Sequence, residues 1–312
     1  MWDNYPFLRD EMTEFENYIR REYPKERGVL NDLSHDVMFS GGKRIRPALT
    51  LLAAMSGKYD RSKVFPLAAA IETLHAATLV HDDIIDDADL RRGKPTVAKK
   101  HGINMAVYTG DYLLASSVLL LIRSGLPMDM SAYVAKAAKI MCIGEVNQYL
   151  SRYTVTGVHS YLRRVMKKTG VLFAASLGGG AYAAGLEDSV VKTMTRLGLN
   201  MGVAFQIRDD LLDIRSDTER EGKPVQKDLA EGIVSLPFIF GAMKDEKVRE
   251  CIKSYYEGLT DFREVLRIVK DSGGIESTET LKERYILRCR DLLNRLPKTE
   301  NMKAIESIVD WL

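Results

Sequence analysis

The sequence predicts an all-α fold, one large helical bundle, on three observations. Apolar residues recur at three- and four-residue spacing along nearly the whole chain, alternating β-branched runs are scarce, and no Asn-Gly or Asp-Gly turn joins two such runs. The start, Met1 to Tyr23, is acidic-basic and amphipathic and reads as a first helix. The periodic segments that follow are Pro47 to Met55, Ser62 to Val80, Met105 to Arg123, Ala132 to Leu150, His159 to Leu177, Ser189 to Leu212, Leu236 to Met243, Lys247 to Glu257, Asp261 to Asp271 and Thr278 to Leu296. Pro47 suits the opening of its helix, since a first-turn N–H has no partner to lose. Breaks fall at Gly41-Gly42, Gly93 to Pro95, Gly125 to Pro127, Gly157, Gly222 to Pro224 and Gly273-Gly274. Connections this short, with no linker-like stretch, point to a single domain over residues 1–312. Leu67 to Val80 and Thr193 to Leu212 are apolar around most of their circumference, which places them in the middle of a bundle.

Composition narrows the function. The chain has 312 residues, 46% of them hydrophobic, enough for a large core. Lys+Arg 45 against Asp+Glu 43 leaves a formal charge of +2, too balanced for a nucleic-acid partner or for electrostatic attraction to an anionic membrane. Any charge that matters is therefore local. Cys142, Cys251 and Cys289 are far apart and lack metal-ligand spacing, which suggests a reducing, cytoplasmic setting. The most apolar stretches, Leu113 to Ile122 and Leu172 to Leu186, are short or broken by Gly178, Gly179 and Gly180, so no transmembrane segment is expected.

Two acidic clusters stand out. In His81-Asp82-Asp83-Ile84-Ile85-Asp86-Asp87-Ala88-Asp89, helical spacing puts Asp82, Asp86 and Asp89 at i, i+4 and i+7, on one face. Like charges at that spacing repel, and a helix C-terminus prefers cations. A compensating metal ion removes both penalties. The second cluster, Phe205-Gln206-Ile207-Arg208-Asp209-Asp210-Leu211-Leu212-Asp213, again ends an apolar helix, with Asp209 and Asp213 one turn apart. Hard carboxylate oxygens suit Mg²⁺, which is typically held by one or two carboxylates plus phosphates and water. Zinc is disfavoured because no His or Cys joins either cluster at ligand spacing.

Cations accompany them. Gly41-Gly42-Lys43-Arg44-Ile45-Arg46-Pro47 sets three positive side chains behind two glycines, and Arg91-Arg92-Gly93-Lys94-Pro95-Thr96 follows the first acidic cluster on a turn able to fold the arginines back. Lys168-Thr169, and Lys223 in Gly222-Lys223-Pro224, add charge in the second half. His75 lies seven residues before Asp82, on the same helix face, while His81 reads as a supporting residue. Carboxylates with metal on one side and Lys/Arg on the other describe a site for two polyphosphates.

GGKRIRP, LVHDDIIDDADLRRGKPT, GDYLL, KKTG and GVAFQIRDDLLD followed by GKPVQKDL occur in this order. The chain thereby resembles the trans-isoprenyl diphosphate synthases, or polyprenyl synthetases, from about residue 30 to its end. The resemblance implies an isoprenoid synthase fold with the two motifs facing a central cavity, and a homodimer. It implies Mg²⁺ on Asp82, Asp86 and Asp209, supported by Asp83, Asp210 and Asp213, with three ions when substrate is bound. By the same likeness Lys43, Arg46, His75 and Arg92 hold isopentenyl diphosphate, and Arg91, Lys168, Thr169, Gln206 and Lys223 hold an allylic diphosphate. The catalytic group is then Asp82, Asp86, Arg91, Lys168, Gln206 and Asp209, acting by charge stabilisation, with no Ser-His or Cys-His nucleophile needed. One departure is Ile233, where many members of the family carry Lys after the glycine of this segment; weaker diphosphate binding rather than lost chemistry is the expected consequence.

Product length depends on the residues beneath the first motif. In the family an aromatic residue five positions before the motif stops growth early; Ala77, about 7.5 Å below Asp82, and Thr78 leave that space open, with Leu74 and Ile71 next. Ser116 and Ser117 are small, and the bulky Val118 to Ile122 run is read as a floor. A product of around C30 to C40 is expected, with geranylgeranyl diphosphate as the alternative. Two further alternatives are a class I terpene cyclase, disfavoured by the intact second motif, and a non-catalytic subunit of a heteromeric synthase, disfavoured because all six aspartates are kept.

Overall fold

The computed structural model describes residues 5–215 and 227–312. Among them the chain is helical nearly throughout: α1 (Pro6–Glu22), α2 (Val29–Met38), α3 (Ile45–Ala54), α4 (Arg61–Ile85), α5 (Val97–His101), α6 (Ile103–Arg123), α7 (Met128–Leu150) and α8 (Val158–Val165). A π-turn (Met166–Gly170) follows, then α9 (Val171–Ala183), α10 (Asp188–Arg215), α11 (Lys227–Ala230), α12 (Leu236–Lys244), α13 (Glu246–Tyr256), α14 (Phe262–Asp271), α15 (Gly274–Leu293) and α16 (Glu300–Trp311). The described strands are a two-residue hairpin, β1 (Leu90–Arg91) and β2 (Lys94–Pro95). Its turn residues Arg92 and Gly93 both have positive φ, 53° and 75°, the left-handed pair that closes tight hairpins.

Two compact units emerge. One comprises Met1–Ala138, Leu172–Gly198 and Arg295–Ser307, the other Lys139–Val171, Leu199–Asn294 and Ile308–Leu312. In the first, α4 is the central element. Asp60 caps its start by accepting from Ser62 N at 2.9 Å, and its residues from Val64 to Ala77 are buried except His75. Phe15 of α1 packs edge-on against Phe65 at 5.7 Å, and Tyr23 shares a buried hydrogen bond with Thr73 at 3.0 Å. The glycines read as breaks near residue 179 instead lie inside an unbroken α9. A Cβ on Gly180 would stand 2.2 Å from the Thr50 carbonyl, and one on Gly178 2.2 Å from the Thr195 hydroxyl, so their lack of a side chain serves close packing.

By length and composition, α4 and α6 could each cross a membrane. In α4 most of the apolar stretch is buried, as a core helix requires, whereas α6 runs 21 residues, longer than its apolar stretch suggests, and leaves an apolar face exposed. The bulky residues expected to form a floor are on that face: Val118 is 47%, Leu119 57% and Ile122 66% exposed, because they sit on the side of α6 turned away from α4. In the second unit α12 packs on α15 at close range; a Cβ on Gly274 would lie 2.4 Å from the Pro237 carbonyl.

Candidate active site

The first acidic motif occupies the last turn of α4, but helix and motif do not end together. Asp82 and Asp83 are helical, Asp86 is the C-cap, and Asp87 turns left-handed at φ 45°. Asp89 therefore leaves the face on which helical spacing put it and pairs with Lys99 at 2.9 Å. Chain reversal is fixed by Ala88 N donating to the Asp83 carbonyl and the Thr96 hydroxyl donating to the Ala88 carbonyl, at 2.9 and 2.8 Å. Asp82 and Asp86 stay half-buried one turn apart, and Asp83, 6% exposed, accepts from Arg91 Nε at 2.7 Å. Arg91 thus supplies the cation that the end of α4 calls for. His81 faces away, its Nε2 3.3 Å from Asp111 and its ring against Gly110, where a Cβ would intrude to 2.3 Å.

The turn preceding α3 meets the hairpin in the same unit. Gly42, at φ 131°, leaves room for Arg92: a Cβ there would stand 2.8 Å from its guanidinium. Of the three cations in this turn, Arg44 is consumed internally. Left-handed at φ 49°, it donates to Glu16 at 2.7 Å, to Glu72 at 3.0 Å and to the Met38 carbonyl. Arg46 lies over the Phe173 ring at 5.0 Å, and Lys43 is exposed. A cavity of about 490 Å³ opens between the hairpin, α2 and α4, and His75, Asp83, Arg91, Arg92, Arg44 and Glu72 all line it. Lys43 and Arg46 are not among its lining residues. If Arg92 serves an anionic substrate as the sequence leads one to expect, replacing Gly42 by Ala is expected to raise its KM about tenfold while leaving kcat near wild type, as steady-state kinetics would show.

Burial, reinforced by the guanidiniums of Arg46, Arg92, Arg91 and Arg44, holds His75 well below its ordinary pKa. The folded protein thus keeps His75 neutral where the unfolded chain protonates it, so stability is lost as pH falls below about 6.5. His75→Gln should show a smaller drop in melting temperature than wild type between pH 7.5 and pH 5.5.

In the second unit several of the residues expected at the site form a connected chain. The π-turn, a local widening of the helix often found at functional sites, sits where Gly144 of α7 presses on the Lys168 backbone; a Cβ on Gly144 would approach it to 2.9 Å. Lys168 pairs with Glu145 at 2.8 Å, and Thr169 donates to Gln206 Oε1 at 3.0 Å. Gln206 donates on to Asp210 at 3.1 Å. Asp210 is buried and also accepts from Tyr161 Oη at 2.7 Å and Leu236 N at 3.0 Å, so its carboxylate is an internal anchor in this state. Asp209 and Asp213 are half-buried one turn apart on an unbroken α10.

Burial raises the pKa of Asp210 and, with the neighbouring Asp210 charge, that of Asp213; Asp228, half-buried, is pushed up to about 7 by desolvation and the charges of Asp213 and Asp210. Asp213 and Asp228 feel the charge of neighbouring carboxylates as well as burial, and a cation bound there would relieve both. Removing one donor makes the point separately: Tyr161→Phe should destabilise the protein by about 1 to 3 kcal/mol, read as a melting-temperature drop of several degrees. Lys223 lies outside the described residues. Glu145, Tyr161, Asp228 and the Arg44–Glu72 pair escaped the sequence reading; a carboxylate after glycine in an apolar helix was the one available signal, for Glu145.

Among the described residues no three His, Cys, Asp or Glu side chains form a ready-made metal cage. The donor set nonetheless fits Mg²⁺, which needs one or two hard carboxylates and takes its other ligands from phosphate and water. Of the chain-length candidates, Ala77, Leu74 and Ile71 are buried, and Thr78 turns its hydroxyl to the His75 carbonyl at 2.8 Å.

The model of the polyprenyl synthetase family matches residues 27–270. Similar proteins include the heptaprenyl diphosphate synthase component 2 of Geobacillus stearothermophilus, 39% identical over 95% of this chain and 93% of that protein, and the nonaprenyl diphosphate synthase of Mycobacterium tuberculosis, 30% identical over 97% and 92%. The solved heptaprenyl diphosphate synthase of Staphylococcus aureus superposes with a TM-score of 0.90 at 29% identity, covering 97% of this chain and 96% of that one.

Proposed function

The chain belongs to the polyprenyl synthetase family, and from that premise we propose that it joins isopentenyl diphosphate head-to-tail to an allylic diphosphate, dimethylallyl, geranyl or farnesyl. The product is an all-trans polyprenyl diphosphate of around C30 to C40, and the metal is Mg²⁺, three ions with substrate bound. The observation that supports this best is the first unit's cavity, where a carboxylate of the acidic motif, three arginines and a neutral histidine share one space. Arg92 and His75, with Lys43 and Arg46, hold isopentenyl diphosphate; Arg91, Lys168, Thr169, Gln206 and Lys223 hold the allylic diphosphate. Asp82, Asp86 and Asp209 carry the metal, backed by Asp83, Asp210 and Asp213.

Cleavage of the allylic C–O bond leaves a carbocation and a diphosphate, so the chemical demand is to stabilise developing negative charge. Bound Mg²⁺ supplies Lewis-acid stabilisation of that charge. Arg91, oriented by Asp83, and Lys168, oriented by Glu145, bring positive side chains held in place by their carboxylate partners. Thr169 and Gln206, locked to one another, present polar but weakly nucleophilic groups that do not trap the cation.

The test is incubation of the purified chain with Mg²⁺, labelled isopentenyl diphosphate and each primer in turn, followed by product sizing. Elongation to a long-chain product is expected, and no incorporation with any primer overturns the proposal. The Geobacillus relative and a Bacillus subtilis protein 35% identical to this chain are each component 2 of a heptaprenyl diphosphate synthase, which supports a second reading in which the chain acts with a different subunit instead of as a homodimer. Light scattering on the active species separates these: a homodimer has twice the chain's mass.

A further inference from the structure

Apart from the acidic motifs and the cavity beside α4, the second unit holds a polar pocket of about 400 Å³ where α7, α8 and the π-turn meet. Its walls include Asn147, Ser151, Ser160, Arg163, Arg164 and Lys167, three cations and no carboxylate. Arg163 and Lys167 form no salt bridge among the described residues. Arg164 is 8% exposed, and its hydrogen bond among those residues is one long contact to the Ser151 hydroxyl, 3.3 Å, with the guanidinium 5.4 Å from the Tyr161 ring centre. A guanidinium has five donors, and one long hydrogen bond to a hydroxyl leaves Arg164, a lining residue of the pocket, with donors to spare. Neighbouring lysines divide here: Lys168 is taken by Glu145, while Lys167 turns to this pocket.

We propose that this pocket seats a phosphate-bearing anion, either free inorganic diphosphate or a phospholipid headgroup. Forked and point-charge donors around two hydroxyls and an amide are the complement of a phosphate's oxygens. No carboxylate lines the pocket, which excludes a bare metal cation. Leu150, a lining residue that is also exposed, offers an apolar edge to a lipid beside the same cations, so both sources share one recognition chemistry. The inference does not depend on the condensation proposed above, because the groups involved are not assigned to it.

Isothermal titration of the full chain with inorganic pyrophosphate in EDTA should reveal two classes of site, since the cavity beside α4 also takes the anion. In Arg163→Ser/Lys167→Ser one class should weaken about tenfold or more. In the second arm, cosedimentation with phosphatidylglycerol vesicles, but not phosphatidylcholine vesicles, should be lost in the same variant if the ligand is a headgroup. Loss in either arm supports the proposal and names the source. Melting temperature and the rate without added pyrophosphate should match wild type, because both side chains reach the surface. Wild-type behaviour of the double variant in both arms overturns it.

Discussion

Asp82→Asn is expected to lower kcat about 10³-fold or more while moving the melting temperature by little. The substitution keeps the size of the side chain and removes only its charge, at a half-buried position on the last turn of α4. Of the two half-buried carboxylates one turn apart at the end of that helix, Asp86 then keeps its charge and Asp82 loses it, which weakens the hold on a divalent ion there. Raising Mg²⁺ concentration should recover little of the rate, since the lost term is charge stabilisation in the transition state as well as metal affinity. Steady-state incorporation of labelled isopentenyl diphosphate, alongside a thermal melt, is the measurement. Retention of more than a tenth of the wild-type kcat would show that Asp82 is not a metal carrier.

Ala77→Phe should shorten the product to farnesyl or geranylgeranyl diphosphate. Ala77 is buried about 7.5 Å before Asp82 on α4, so an aromatic ring there fills the level just below the motif. Overpacking costs about 1 to 3 kcal/mol, enough to lower the melting temperature but not to unfold a domain of this core size. The structure adds a deeper level: Tyr23 of the first unit hydrogen-bonds Thr73, about 13 Å before Asp82 along the same helix. Chromatography of dephosphorylated products reads the result, and an unchanged distribution removes Ala77 from chain-length control.

Much of this was legible in one dimension. Three-and-four periodicity located α3, α4, α6, α7 and α10 to within a few residues, because an amphipathic or all-apolar helix writes its burial directly into spacing. The carboxylates of both motifs were visible for a related reason: like charges crowded at helix ends are locally unfavourable, and that cost is readable without knowing the fold. The turn Arg92-Gly93 was placed as a loop, though its hairpin was not foreseen, since two-residue strands carry no periodic signal.

Other roles could not be read from spacing. Arg44 sits between two cations assigned to substrate, yet its own charge is met by Glu16 and Glu72 on other helices. Asp210 looked like its neighbours, but donors from Tyr161 and Leu236 converge on it. Val118, Leu119 and Ile122 are apolar and face outward, because the direction of a helical side chain depends on which neighbour the helix packs against. The sequence by itself determined the helices, the two acidic motifs and the type of chemistry, all set by local spacing and local charge. The tertiary structure alone decided which charges face the cavity, which are paired inside, and which small residues permit close packing, since those depend on partners remote in the chain.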